Sequence, residues 1–131
     1  MGVTFLLDTH VLLWILTAPD RIDGAVRAQL EDRANVLLVS AVSALEIATK
    51  IRVGKLLAQG LVESWDERVA GIGAEQLAVS SAHARLAGSM PWAHRDPFDR
   101  LLVAQATLEV ASLVTVDDSM RGLPAPRIVS W

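Results

Sequence analysis

Cysteine is absent from the 131 residues. That removes any disulfide framework, thiolate nucleophile or cysteine-ligated zinc. Long hydrophobic runs are missing too: the longest, Val11 to Leu16, is far too short to cross a bilayer. No basic segment precedes a hydrophobic one near the N-terminus. Met1-Gly2 is followed by Leu6 where a myristoylation signal requires Ser or Thr. A cytoplasmic protein without membrane attachment is therefore expected. Basic excess is lacking as well, since 12 Lys plus Arg face 15 Asp plus Glu, giving a net charge of -3. That balance argues against nucleic-acid binding unless metal or local patches reverse it.

What is present is a hydrophobic content of 52%, enough for one domain spanning residues 1–131 with a sizeable core. Strand-like runs at Val3 to Leu7, Val36 to Val39, Leu77 to Val79, Leu113 to Val116 and Arg127 to Ser130 alternate with helical patterns. The alternation predicts an α/β fold. Nearly continuous apolar character in the first, second and fourth runs predicts parallel strands covered on both faces. Pro19, Gly54, Gly71 and Gly73 end helices, and Pro97 starts one.

Four acids stand where such a fold gathers ligands, beyond the carboxyl ends of its strands. Asp8 closes the first run and Asp117 follows the fourth, while Glu46 lies inside a helix and Asp99 in the first turn of another. Carboxylates brought together repel one another and lose hydration unless a cation neutralises them or some keep protons. An all-oxygen donor set favours magnesium or manganese.

Each acid also has a plainer role. Asp8-Thr9 can cap a helix beginning near His10, with Thr9 as N-cap. Glu46 can pair with Lys50 four residues on, although it borders the stripe Val42, Leu45 and Thr49. Asp99 can answer the helix dipole behind an Asp96 cap and Pro97, yet it continues the inward stripe Leu102, Val103 and Ala106. Asp117 and Asp118 can be turn residues.

The segments TFLLDTHVLLW (Thr4 to Trp14), SAVSALEIATKIRVGKL (Ser40 to Leu56), DPFDRLLVAQA (Asp96 to Ala106) and LVTVDD (Leu113 to Asp118) cover nearly the whole chain. In this order and spacing they resemble the PIN-domain ribonucleases, more narrowly the VapC-type toxins of toxin–antitoxin pairs. The resemblance implies a three-layer α/β/α domain with a central, mostly parallel sheet. It also implies magnesium-dependent hydrolysis of RNA, with Asp8, Glu46, Asp99 and Asp117 as metal-binding acids. The family's supporting polar positions fall on Thr9, Ser40, Ser43 and Thr115, able to orient carboxylates or water. The T-x-D spacing from Thr115 selects Asp117 over Asp118. Partners implied are RNA, a VapB-type antitoxin that places an arginine or lysine among the acids, and a second copy in a homodimer.

Phosphate contacts are sought among Lys50, Arg52 and Lys55, past Glu46, and Arg95 and Arg100, near Asp99. Each can also be part of a solvated helix face, a reading that is even for Lys50 and Lys55 and favoured for Arg52. His10, His83 and His94 show no triad or metal spacing and read as surface or packing residues, His10 standing nearest the acids. Trp14 and Trp65 read as core; Trp92 is the aromatic candidate for an RNA or partner contact. Two rival functions stay open. A non-catalytic module can use the acids to recognise cations or a basic peptide. A phosphotransfer protein is disfavoured because Asp8-Thr9-His10 lacks the second Asp of a haloacid-dehalogenase-like phosphatase, and the first strand end lacks the acidic pair of a receiver domain.

Overall fold

Alternation along three apolar strands decides which of two cores each side chain enters. Phe5 and Leu7 of β1 (Thr4–Leu7) face one core and Leu6 the other. In β2 (Val36–Ser40), Leu37 and Val39 oppose Leu38 in the same way. Side chains on both faces of a strand leave both faces needing cover. Among residues 2–131, which the computed structural model describes, helices supply it. Val11 and Leu12 of α1 (Thr9–Thr17), Val26 and Leu30 of α2 (Gly24–Glu31), and Val69 of α4 (Trp65–Gly71) fill the first core. Leu102, Val103 and Ala106 of α6 (Pro97–Leu108) fill the second. Between them, α3 (Ala41–Arg52) gives Ile47 to one core and Val42 to the other. The expected three-layer α/β/α arrangement follows.

The sheet also contains β3 (Ala74–Leu77), β4 (Ser112–Val114) and β5 (Ile128–Val129), in the order β3-β2-β1-β4-β5. Every neighbouring pair is parallel. The chain steps outward from β1 to β3, then returns through α5 (Ser81–Ser89) and α6 to the other side of β1. Its direction therefore reverses between β1 and β4. Strands on either side of such a reversal lead away from each other, which opens a crevice at their carboxyl ends.

The third strand lies earlier than the expected Leu77 to Val79. Its sequence, Ala74-Glu75-Gln76-Leu77, has no apolar run because it is a sheet edge, held by backbone pairing with β2. Val79 is exposed, and Ser80 already caps α5. The fourth strand ends at Val114, two residues short of expectation, and the fifth holds only Ile128 and Val129. No described helix is long and apolar enough to cross a membrane.

Buried polar side chains tie the layers together beneath the crevice. The Ser40 hydroxyl, which accepts the Val42 N–H to cap α3, donates to Gln105 Oε1 of α6 at 2.6 Å. The Gln105 amide donates to the Ala78 carbonyl at 3.3 Å. Ser40 and Gln105 are fully buried, so neither has water as an alternative partner. His83 completes a capping box with Ser80: its Nδ1 accepts the Ser80 N–H, which leaves Nε2–H to donate to Glu109 at 3.0 Å. Gln105→Leu keeps the volume but strands the Ser40 hydroxyl. It is expected to cost about 1–3 kcal/mol in urea unfolding. Adding Ser40→Ala removes the stranded hydroxyl but also the α3 cap, so the double variant should lose about 1 kcal/mol more, the cost of the cap alone. An unchanged unfolding midpoint for Gln105→Leu would contradict this.

Candidate active site

Asp8 is the first residue beyond β1, and the structure gives it the capping role assigned from sequence to Thr9. Its Oδ1 accepts the Thr9 N–H at 2.7 Å, starting α1 at Thr9 itself. The Asp8 N–H donates to the Val114 carbonyl at 3.0 Å, holding the residue against β4. Oδ2 accepts the Thr115 hydroxyl at 2.6 Å. That hydroxyl spends its proton on Asp8 and offers a lone pair to the Asp117 N–H at 3.0 Å. One buried threonine thus sets the relative placement of two acids. Asp117 is exposed, and its Oδ1 accepts both the N–H and the hydroxyl of Ser119 at 2.9 and 2.8 Å.

Glu46 is buried on α3 in the stripe Val42, Ser43, Glu46 and Ile47, whereas Leu45, expected in that stripe, is exposed. Its carboxylate accepts from Lys50 Nζ at 2.6 Å, the i,i+4 pair anticipated as its plainer role. Thr9 Oγ1 and Ser43 Oγ, 2.9 Å apart, join α1 to α3. Of the four supporting polar positions, Thr115 touches a carboxylate with its side chain. Thr9 reaches one through its N–H, and Ser43 and Ser40 bond to Thr9 and Gln105 instead.

Asp96 caps α6 by accepting the Phe98 N–H at 2.9 Å, with Pro97 beginning the helix. Asp99, one turn in, faces His94: Nε2 and Oδ2 lie 2.7 Å apart, a distance that requires a proton between them. His94, read from sequence as a surface or packing residue, therefore belongs to the site. Its five-residue spacing across Pro97 is not a helical one, so periodicity cannot reveal it. Arg100 does not face phosphate as expected. Successive helix residues point about 100° apart, so the residue after Asp99 turns to the preceding loop. Its guanidinium donates to the loop carbonyls of Met90, Trp92 and His94, and to the Ala87 carbonyl in the last turn of α5, at 2.6–2.9 Å. Trp92 stacks on His94 with centroids 4.7 Å apart. Lys55, Arg52 and Arg95 stand exposed.

Burial and like charge act on the acids in different proportions. Burial raises the pKa of Asp8, the Thr115 and Thr9 hydrogen bonds oppose it, and Glu46 adds to the rise. Burial pushes Asp99 up to about 6; the His94 hydrogen bond opposes this, while Asp96, Asp8 and Asp117 reinforce it. For Asp117 burial also acts upward, but the two Ser119 hydrogen bonds, together with His94 and His10 nearby, hold the carboxyl below its ordinary value. The four acids do not lie in a single tight ring. Among the described residues, the group with ligand atoms all within 4.8 Å of one another is His94, Asp96 and Asp99. Asp99 is common to that group and to the acids it repels across the crevice. The donors fit a hard divalent cation: they are carboxylate oxygens, and burial raises the pKa of two of them, Asp8 and Asp99, so a cation placed among them would favour their charged forms.

Beside Asp8 and Asp117 lies a cleft of about 300 Å³ whose other walls are His10, Trp14 and Val116. A larger cavity of about 690 Å³, lined by residues such as Ile15, Leu30 and Ile72, includes none of the four acids.

Asp99 predicts a stability signature for the metal-free protein. Its folded pKa, raised from 3.8 to about 6, means the folded state binds the proton more tightly than the unfolded chain. The resulting stabilisation is complete below about pH 4 and is lost as pH rises through about 6. Asp99→Asn should therefore be more stable than the parent at pH 7.5 in chelator, by about 2 kcal/mol. The two should converge near pH 4 in denaturant titrations. Equal stability of parent and variant at both pH values would contradict the assignment.

The PIN domain family model matches residues 5–125. Ribonuclease VapC22 of Mycobacterium tuberculosis is 34% identical over 131 residues, covering 97% of each chain. The fold matches a chain in the crystal structure of VapBC2 from Rickettsia felis bound to a promoter DNA fragment, with TM-score 0.71 and 16% identity, covering 98% and 99% of the two chains. DNA-bound VapBC from Salmonella typhimurium matches with TM-score 0.72 and 18% identity, covering 98% of both. The switch-point acids thus sit in a fold and sequence shared along almost their entire length with these relatives, and the chain belongs to the PIN-domain family, in its VapC-type branch.

Proposed function

We propose that this chain is a magnesium-dependent endoribonuclease, the toxin of a type II toxin–antitoxin pair, in which Asp8, Glu46, Asp99 and Asp117 hold the cation. Manganese is the natural substitute, being another hard divalent ion suited to carboxylate oxygen. The observation that carries the reading is the crevice between β1 and β4, where Asp8 and Asp117 share the Thr115 hydroxyl and both repel Asp99. Near-complete alignment with a protein named a ribonuclease supports the same reaction class. When bound, the cation polarises the phosphoryl oxygen and lowers the pKa of the attacking water.

The chain's own residues supply position and charge. Thr115 fixes Asp8 against Asp117, and the Thr9–Ser43 bond keeps α3, with Glu46, beside α1. Lys50 neutralises Glu46. His94 holds a proton at Asp99 Oδ2, and Arg100 holds the His94 loop by its carbonyls. Of the cations weighed as RNA contacts, Arg52, Lys55 and Arg95 are exposed and free of side-chain partners among the described residues. They are the ones available to phosphate.

The partner we propose is a VapB-type antitoxin that lays a basic side chain among the acids. Two fold matches are chains of VapBC assemblies, and an acidic crevice is electrostatically complementary to arginine or lysine.

The acids are separable by function. Asp8→Asn or Asp99→Asn removes a ligand charge and should lower single-turnover RNA cleavage in magnesium on the order of 100-fold or more, with the fold retained. Asp96→Asn keeps a good helix cap and should stay within a few-fold of the parent. Undiminished cleavage by purified Asp8→Asn would sink the proposed chemistry. Equal damage from Asp96→Asn and Asp99→Asn, with helix content unchanged, would move the site to the His94, Asp96 and Asp99 group.

A further inference from the structure

We infer that the cleft walled by His10, Trp14 and Val116 is a subsite for one unstacked nucleobase of single-stranded RNA, placed beside the scissile phosphate. The inference rests on the ribonuclease reading and adds the part of the substrate that this wall receives.

The sequence builds the wall from the same helix that Asp8 caps. His10 and Trp14 are four residues apart on α1, so their rings share one face and lie 6.2 Å apart, tilted by 50°. Trp14 is half-buried and held from other sides: the Arg21 guanidinium lies 5.8 Å from its ring centroid, and Trp131 packs at 6.1 Å and 54°. The indole is thus preorganised before any ligand arrives. His10 is exposed and has no hydrogen-bond partner among the described residues, so its ring nitrogens are available to a base edge.

Charge selects the part of RNA that can enter. The remaining walls are Asp8, Asp117 and apolar Val116, and no Lys or Arg lines the cleft. A phosphate finds no Lys or Arg here and would be drawn instead to the cation that the acids hold on the crevice side, whereas the His10, Trp14 and Val116 walls suit a neutral, planar base. Aromatic surfaces accept bases of any identity, because every base has a π-face. The volume, about 300 Å³, is at the small end of ligand pockets and suits a single planar group rather than a duplex. Since Asp8 and Asp117 line both this cleft and the crevice, the base that enters belongs to a nucleotide adjoining the bond to be cut.

The test reads binding without cleavage. Labelled hexauridylate, hexa-adenylate and hexacytidylate are titrated against an abasic hexamer with the same backbone, in calcium, with probe length checked after each titration. Wild-type protein should bind at least one base-bearing probe about tenfold tighter than the abasic one, within the range for a base stacked on an aromatic side chain. His10→Ala and Trp14→Leu should shrink that preference to about twofold or less, Trp14→Phe should keep most of it, and the affinity for the abasic probe should not change. His10 is exposed, so His10→Ala decides the matter even if Trp14→Leu fails to fold. Equal affinity of wild type for all four probes overturns the inference, as does a preference that survives His10→Ala. Cleavage by the Asp99→Asn protein reports separately on the ribonuclease reading, so failure of one does not mimic failure of the other.

Discussion

Repulsion among carboxylates at one sheet edge is the constraint around which this molecule is arranged. The topology reverses between β1 and β4, and the acids following those two strands are brought together before any chemistry is considered. Each acid then has a local partner that makes it tolerable without removing its charge from the crevice. Thr115 and the Thr9 N–H serve Asp8, Lys50 serves Glu46, His94 serves Asp99 and Ser119 serves Asp117. These partners are unequal. Asp117 is pulled below its ordinary pKa, while Asp8 and Asp99 stay above theirs, so the least compensated charge lies deepest. A site in this condition gains most from a cation, because binding replaces repulsion by attraction.

Precision at such a site comes from polar bonds between elements rather than from the cores alone. Apolar cores fill space but specify orientation weakly, whereas buried hydrogen bonds have strict geometry. The Thr9–Ser43 bond locks α1 to α3, and Ser40–Gln105 locks α3 to α6. Arg100 converts a proline-containing loop into a fixed support by donating to three of its carbonyls and to one in the last turn of α5. The loop delivers His94 to Asp99, so a residue facing away from the acids governs one that faces them.

Much of this was legible in the chain because strands buried on both faces write continuous apolar runs. The runs around Phe5, Leu38 and Leu113 located three central strands and, with them, the carboxyl ends that carry Asp8 and Asp117. The edge strand Ala74–Leu77 was not legible, since backbone pairing rather than side-chain burial holds it. His94 and Arg100 were misplaced for a related reason. Their roles depend on a loop path that no periodicity records. Gln105 and His83, buried polar groups in a network spanning β2, α5 and α6, carry no local pattern either. Residue type placed the acids; only the fold could place what steadies them.

The most direct test of the central claim is the unfolding free energy as a function of magnesium. A cation that binds only the assembled crevice must stabilise the folded state by an amount that grows with the logarithm of its concentration above the dissociation constant. In denaturant titrations at fixed ionic strength the wild-type chain should show such a rise, and Asp8→Asn should lose nearly all of it. Wild-type stability that ignores magnesium, or an equal rise in both proteins, would contradict the claim that these acids form one cation site.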